Sequence, residues 1–460
     1  MKIRCFNFML CLLCTQSMLF ATHNRSGEIL FTQLDELRIR ATVITYTRES
    51  SLAADRDSLN FCWGDGTCEW IQRINGQGSG EPIGFDTKKN VYEATHIYTD
   101  LGNYKLAMTD PNRNSGILNI ANGNSVNVAF HLETEVQLKD LNFNQINSSP
   151  VLMVPPIDLA FVGQPFIHVP NAFDVDGDSI AYELIVPLQA EGLEVPDYQF
   201  PNEVGSGSNS FSINPETGVV NWTNPTIIGE YNVAILIKSY RDGVEIDRII
   251  RDMQIRVEEG GDPPASFETQ GFPQNVVNAV GIGDTVRIQM LVPQFDPFLG
   301  IQISATFGLD VLFPDATTFA TDIGDGTASA EFTWVVEEAH VREQAYQLVI
   351  KTERNFAEYG PADFAVFRFK IGETVSLTAT PQRFDFQIFP NPVRNNRIYL
   401  TEKLEGPAQY SIYTIQGQML QRGTLPLSTA SIDLRALPRS TYLLRLEVNG
   451  KIGTRTFVIE

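Results

Sequence analysis

Tyr231-Asn232-Val233-Ala234-Ile235 places an aromatic and two aliphatic residues at alternate positions. In an extended chain successive side chains point to opposite faces, so Tyr231, Val233 and Ile235 share one face. The pattern recurs as Tyr104/Leu106/Met108, Tyr346/Leu348/Ile350 and Tyr442/Leu444/Leu446. A strand tryptophan, Trp222 or Trp334, precedes it in two of the four cases. Four such strands predict four tandem modules of about 80–120 residues, each a β-sandwich with one inward apolar face.

Composition agrees with an all-β chain. Of 460 residues, 43% are hydrophobic and 19% charged, and 34 Gly and 25 Pro supply turns. That is too apolar for a disordered chain. The net charge is −21. The acid lies in the body, because residues 381–460 carry ten Lys/Arg against six Asp/Glu. An acidic body does not bind nucleic acid by counterion release. It attracts cations or basic partners, or simply keeps the chain soluble.

The amino terminus reads as a secretory signal over 1–21. Lys2 and Arg4 precede a mostly apolar run from Phe6 to Phe20, and Ala21 is a small residue at the expected cleavage point. The run is too short to span a membrane, and no other segment qualifies, so the mature chain is expected to have no transmembrane segment. Removing the signal leaves two cysteines, Cys62 and Cys68. An even count in an exported chain suggests one disulfide. Asp65-Gly66 between them is tight-turn chemistry, so the bond would staple a hairpin; two free thiols are the other reading.

Composition marks the module boundaries. The first module spans 22–140. Pro150, Pro155 and Pro156 introduce the second, at 150–258, in which Asp242-Gly243 reads as a hairpin turn. Glu258-Glu259-Gly260-Gly261-Asp262-Pro263-Pro264 is a linker by composition. The third module covers 265–373 and the last 385–460.

Three resemblances follow from particular motifs. Trp63-Gly64-Asp65-Gly66-Thr67, with His96-Ile97-Tyr98 and Gly102-Asn103-Tyr104, resembles the polycystic-kidney-disease-type (PKD) repeat, from which the cysteine pair departs. Asp174-Val175-Asp176-Gly177-Asp178 with Asn214-Pro215-Glu216-Thr217-Gly218 resembles the cadherin-like, immunoglobulin-like modules of bacterial surface proteins. Both imply tandem immunoglobulin-like β-sandwich domains that serve as spacers or contact surfaces. Phe389-Pro390-Asn391-Pro392, with Leu437-Pro438 and the closing Arg455-Thr456-Phe457-Val458-Ile459, resembles the carboxy-terminal sorting domain of type IX secretion, the exporter of the Bacteroidetes. Ser440 departs from the Gly usual there. This resemblance implies passage through the periplasm, recognition by the type IX machinery, and release or attachment at the cell surface.

Candidate chemistry is sparse. The five histidines are far apart in sequence and form no metal motif. No Gly-x-Ser-x-Gly elbow or phosphate loop occurs, and no Cys-x-x-Cys pair remains once the signal is removed. No catalytic residue and no bound cofactor are expected, with Ca²⁺ as the exception considered. Asp174, Asp176 and Asp178 alternate around Gly177, an arrangement that puts three oxygens on one loop as a hard cation prefers. A polar turn capped by its own carboxylates fits the same residues, and the EF-hand pattern is absent. Trp63 and Trp70 flank the proposed hairpin, as core residues or as sugar-stacking surfaces. The expected function is that of a secreted or outer-membrane-associated, non-enzymatic protein of adhesion or surface interaction, with an unknown surface protein or glycan as partner. The alternative is a glycan-binding protein that assists polysaccharide capture.

Overall fold

The strand Val244–Glu258 belongs to two modules at once. Along one edge it pairs with Gly229–Arg241 through the Asp242-Gly243 turn. Both turn residues have positive φ, +53° and +77°, as a two-residue hairpin of this hand requires. The other edge is divided. Residues 247–249 pair with Phe130–Leu138, residues 252–253 pair with Asn24–Gln33, and residues 256–258 run parallel to Leu159–Phe161.

This is a computed structural model. It describes residues 24–459 except 52–54, 85, 142–144, 158, 206, 208, 261–265, 298–299, 325, 354–361, 373–385, 401–407, 415–418, 426–430, 435–436 and 449–450. Two compact units result, Met1–Glu373 and Thr374–Glu460. The fold is nearly all-β, in several separate sheets. No described helix is long and apolar enough to cross a membrane.

In the first module, one sheet runs through Glu81–Gly84, Thr87–Ile97, Arg38–Arg48 and Asn24–Gln33. The facing sheet runs through Cys68–Gln72, Ser58–Cys62, Gly102–Asp110 and Phe130–Leu138. Val244–Glu258, from the second module, bridges the two sheets. A continuous sheet therefore joins the chain on either side of Pro150–Pro156. The third module pairs Glu268–Gln270, Thr285–Val292, Ala328–Val335 and Thr317–Ile323 in one sheet. Its second sheet holds Val277–Val280, Asp363–Ile371, Tyr346–Glu353 and Gln302–Phe307.

The recurring strand lies at the centre of each module. Tyr231, Val233 and Ile235 are buried in the second core, Tyr346, Leu348 and Ile350 in the third, and Tyr442, Leu444 and Leu446 in the last. Leu106 and Met108 are buried in the first, with Tyr104 packed against it. Each such large apolar side chain contributes roughly 1.5–3 kcal/mol on burial.

The four tyrosines share a second feature. Each hydroxyl donates to a carbonyl just upstream: Tyr104 to Asp100 at 2.7 Å, Tyr231 to Ile227 at 2.9 Å, Tyr346 to His340 at 2.8 Å and Tyr442 to Pro438 at 2.7 Å. This is the tyrosine corner of immunoglobulin-like sandwiches. It explains the choice of Tyr over Phe: the ring fills the core while the hydroxyl satisfies a carbonyl where the chain crosses between sheets.

Candidate functional site

The loop after the short strand Ala172–Phe173 carries the three aspartates. Asp174 is buried, and its Oδ1 accepts the backbone N–H groups of Asp176, Gly177 and Asp178 at 2.9, 2.9 and 3.0 Å. Gly177 turns the loop at φ +94°, where a side chain would be strained. The capped polar turn thus exists, and it uses only one oxygen of Asp174. The other, Oδ2, is buried with no hydrogen-bond partner among the described residues.

The neighbouring carboxylates are held from outside the loop. Asp176 Oδ2 accepts the Ser148 N–H at 2.6 Å. Asp178 is gripped by both arms of Arg241, from Nε at 2.7 Å and Nη2 at 2.5 Å. The same guanidinium donates to the Asn147 side-chain oxygen. Asn147 in turn donates to Asp247 at 2.6 Å, and Ser239 donates to the other oxygen of Asp247 at 2.7 Å. From the third module, Arg342 Nη2 donates to the Asp174 carbonyl at 2.8 Å, and its guanidinium lies over the Phe173 ring. The aspartates therefore sit where the first module's connection, the second module and the third module meet. A cleft of about 150 Å³ opens beside them, lined by Phe173, Asp174, Asp178, Glu216, Arg342 and Arg368.

The electrostatics follow from this crowding. Burial, with the Asp178 and Asp176 charges adding, pushes the Asp174 carboxyl up to about 6. Burial pushes Asp247 up to about 7, against the hydrogen bonds from Asn147 and Ser239. A hard cation at the loop would favour the charged form of Asp174. One ligand atom from each of Asp174, Asp176 and Asp178 lies within 4.8 Å of the others. That is about twice a Ca²⁺–oxygen distance, so one ion can touch all three. The orphaned Asp174 Oδ2 fits a cation ligand, while Asp178 would be shared with Arg241.

The interface beside this site is polar and apolar together. Gln347 Nε2 donates to Asn171 Oδ1 and to the Thr217 carbonyl at 3.1 and 3.0 Å, and Arg368 pairs with Glu216 at 2.8 Å. Val169, Val349, Phe364 and Val366 form a small core of their own between the second and third modules.

Cys62 and Cys68 are bonded directly across the hairpin of Ser58–Cys62 and Cys68–Gln72. Gly64 is required in its turn: a Cβ there would lie 2.5 Å from the Lys105 nitrogen. Asp65 accepts from the Thr67 N–H and hydroxyl and pairs with His96 at 2.7 Å. Trp63 stacks on His96, which meets Tyr98 edge-on, and Tyr98 lies tilted against Tyr104. Trp63 is 1% exposed and Trp70 68%. The two flanking tryptophans thus have opposite surroundings. Ala21, the expected cleavage point, lies outside the described residues.

In the last module Phe386 is buried, whereas Phe389, Pro390, Asn391 and Pro392 are exposed. The Phe389 ring stacks on Tyr399. Asn391 donates to the Thr456 carbonyl at 3.2 Å and accepts the Val458 N–H at 3.0 Å. The motif thereby clamps the module's opening to its last strand, Lys451–Val458. The adjacent Val393 bridges to Ile459.

Residues 387–460 match the family described as the secretion system C-terminal sorting domain. The last module is thus a type IX secretion sorting domain, which implies dealings with that machinery and export to the cell surface or beyond. No curated protein matches the chain. Among solved structures, that of Rst D1-D2 is similar at 12% identity and a TM-score of 0.18, covering 49% of this chain and all of that one. Zebrafish RET cadherin-like domains 1 to 4 are 10% identical at a TM-score of 0.17, over 96% of this chain and 97% of that one. An endo-fucoidan hydrolase of glycoside hydrolase family 107 is 10% identical at 0.16, over 73% of this chain but 42% of that one. At such scores these likenesses carry no argument.

Proposed function

We propose that the exported protein is a non-enzymatic contact protein of the cell surface, acting in adhesion or surface interaction. The observation that supports this most is the fusion of the first two modules through Val244–Glu258, joined to an export module. A contact protein outside the cell has to hold its surfaces in fixed relation, and a shared strand does so where a linker would not. On this reading the first module is PKD-like and the second cadherin-like, and Asp174, Asp176 and Asp178 bind Ca²⁺. The ion would draw the first module's connection and the Arg342 side of the third module onto one loop.

The test is deletion of the protein from its native host, followed by attachment and cell-aggregation assays in calcium-replete and chelated medium. Weaker attachment with unchanged growth on polysaccharides supports the reading. Normal attachment with impaired growth on one polysaccharide contradicts it and favours glycan capture.

A further inference from the structure

Of the four tryptophans, Trp63, Trp222 and Trp334 are at most 1% exposed, whereas Trp70 is 68% exposed. Trp70 lies in the middle of Cys68–Gln72, an outer strand of its sheet. Directly across it on Ser58–Cys62 is Asn60, also exposed. The Cys62–Cys68 bond joins the next outward-facing pair, so the hairpin that carries the ring is fixed. One strand further in, Phe61 pairs with Met108, and both point into the core. Their neighbours Asn60 and Thr109 therefore lie on the outer face together. Thr109 is exposed, and its hydroxyl is hydrogen-bonded to His131 Nδ1 at 2.8 Å, which orients it.

The outer face thus offers a flat indole, then an amide, then an oriented hydroxyl. The strands are about 4.8 Å apart, so the row has the scale of a short oligosaccharide. A protein hot spot is ringed by further packing groups that exclude water. Around Trp70 the facing residues are the disulfide, Asn60, Ser58 and Gln72, which are small or polar. A pyranose has matching chemistry: an apolar C–H face for the ring and hydroxyls for the amide and hydroxyl beside it. The acidic character of the chain disfavours an anionic glycan.

We propose that Trp70, with Asn60 and Thr109, forms a binding platform for a neutral oligosaccharide. This rests on the reading of the chain as an extracellular contact protein and names one ligand class for it. Preorganisation by the disulfide limits the ordering cost of binding.

Because Trp70 is the one exposed tryptophan, acrylamide quenching of the intact chain reports on it. The probes are neutral cello-, xylo-, manno- and chito-oligosaccharides, with an anionic polysaccharide as comparison. Protection of the quenchable fluorescence by at least one neutral oligosaccharide is expected. Trp70→Ala should weaken that binding at least tenfold in affinity electrophoresis, with unchanged melting. Asn60→Ala should weaken it several-fold. No protection by any neutral probe, binding of the anionic polymer alone, or full binding by Trp70→Ala would each overturn the platform. Those outcomes leave surface attachment itself intact, so a failure here is distinct from failure of the contact-protein reading.

Discussion

The Glu28 carboxylate accepts two hydrogen bonds from the Arg251 guanidinium, at 3.0 and 2.8 Å, with both side chains buried. Glu28 is in the first module's opening strand and Arg251 in the second module's closing strand. The next residue, Asp252, receives Arg113 of the first module at 2.6 and 3.1 Å, again fully buried. Successive strand residues face opposite ways, so one strand locks the first module from both faces. Removing one partner of such a pair strands a buried charge, at about 3–5 kcal/mol. Arg251→Met should therefore lower the denaturation midpoint for both modules together, followed through the buried Trp63 and Trp222. Glu28→Leu added to Arg251→Met should recover most of the loss, because an apolar pair of similar volume leaves no unpaired charge.

Calcium should raise the melting temperature of the intact chain at pH 7.5, and Asp176→Asn should abolish the rise. The rise should shrink toward pH 5, because a proton on the raised Asp174 carboxyl competes with the ion. Calorimetry with and without chelator at the two pH values measures this.

Asp247 gives a pH dependence of defined sign. Its folded-state value, about 7, lies above the ordinary 3.8, so between pH 4 and 7 the native state holds more proton than the unfolded chain. Its contribution to stability is full below about pH 4, falls as pH rises to about 7 and is flat beyond. The span is at most about 4 kcal/mol. Asp247→Asn should flatten this slope and make the protein relatively more stable at pH 8, as seen in urea titrations across the range.

Each tyrosine corner should cost a similar amount to remove. Tyr231→Phe, Tyr346→Phe and Tyr442→Phe each lose one hydrogen bond and leave a carbonyl partner behind, at about 1 kcal/mol. Urea midpoints of the three single variants should fall by comparable steps, while the apolar cores stay filled.

The inward-facing strands were legible because alternation is local: Tyr231, Val233 and Ile235 declare their shared face within five residues. The aspartate loop was legible for the same reason. What stayed hidden is long-range. Nothing within Val244–Glu258 shows that it serves two modules; its apolar run is broken by Asp247, Arg251 and Asp252, whose partners lie elsewhere in the chain. Arg241 and Arg342 reach the loop from 63 and 168 residues away. The tyrosine hydroxyl bonds needed the corner itself. The opposite fates of Trp63 and Trp70 had an unused signal. Once Cys62 is opposite Cys68, Trp70 falls opposite Asn60, out of step with the inward Leu59 and Phe61.

Export of the body should depend on the last module. The most direct measurement compares the cell fraction and intact mass of the full chain with those of a chain ending before residue 387, both expressed in the native host. We expect the full chain at the surface or in the medium, and the shortened chain folded and held in the periplasm. Equal export of the two would contradict that dependence and would make residues 387–460 an ordinary β-domain.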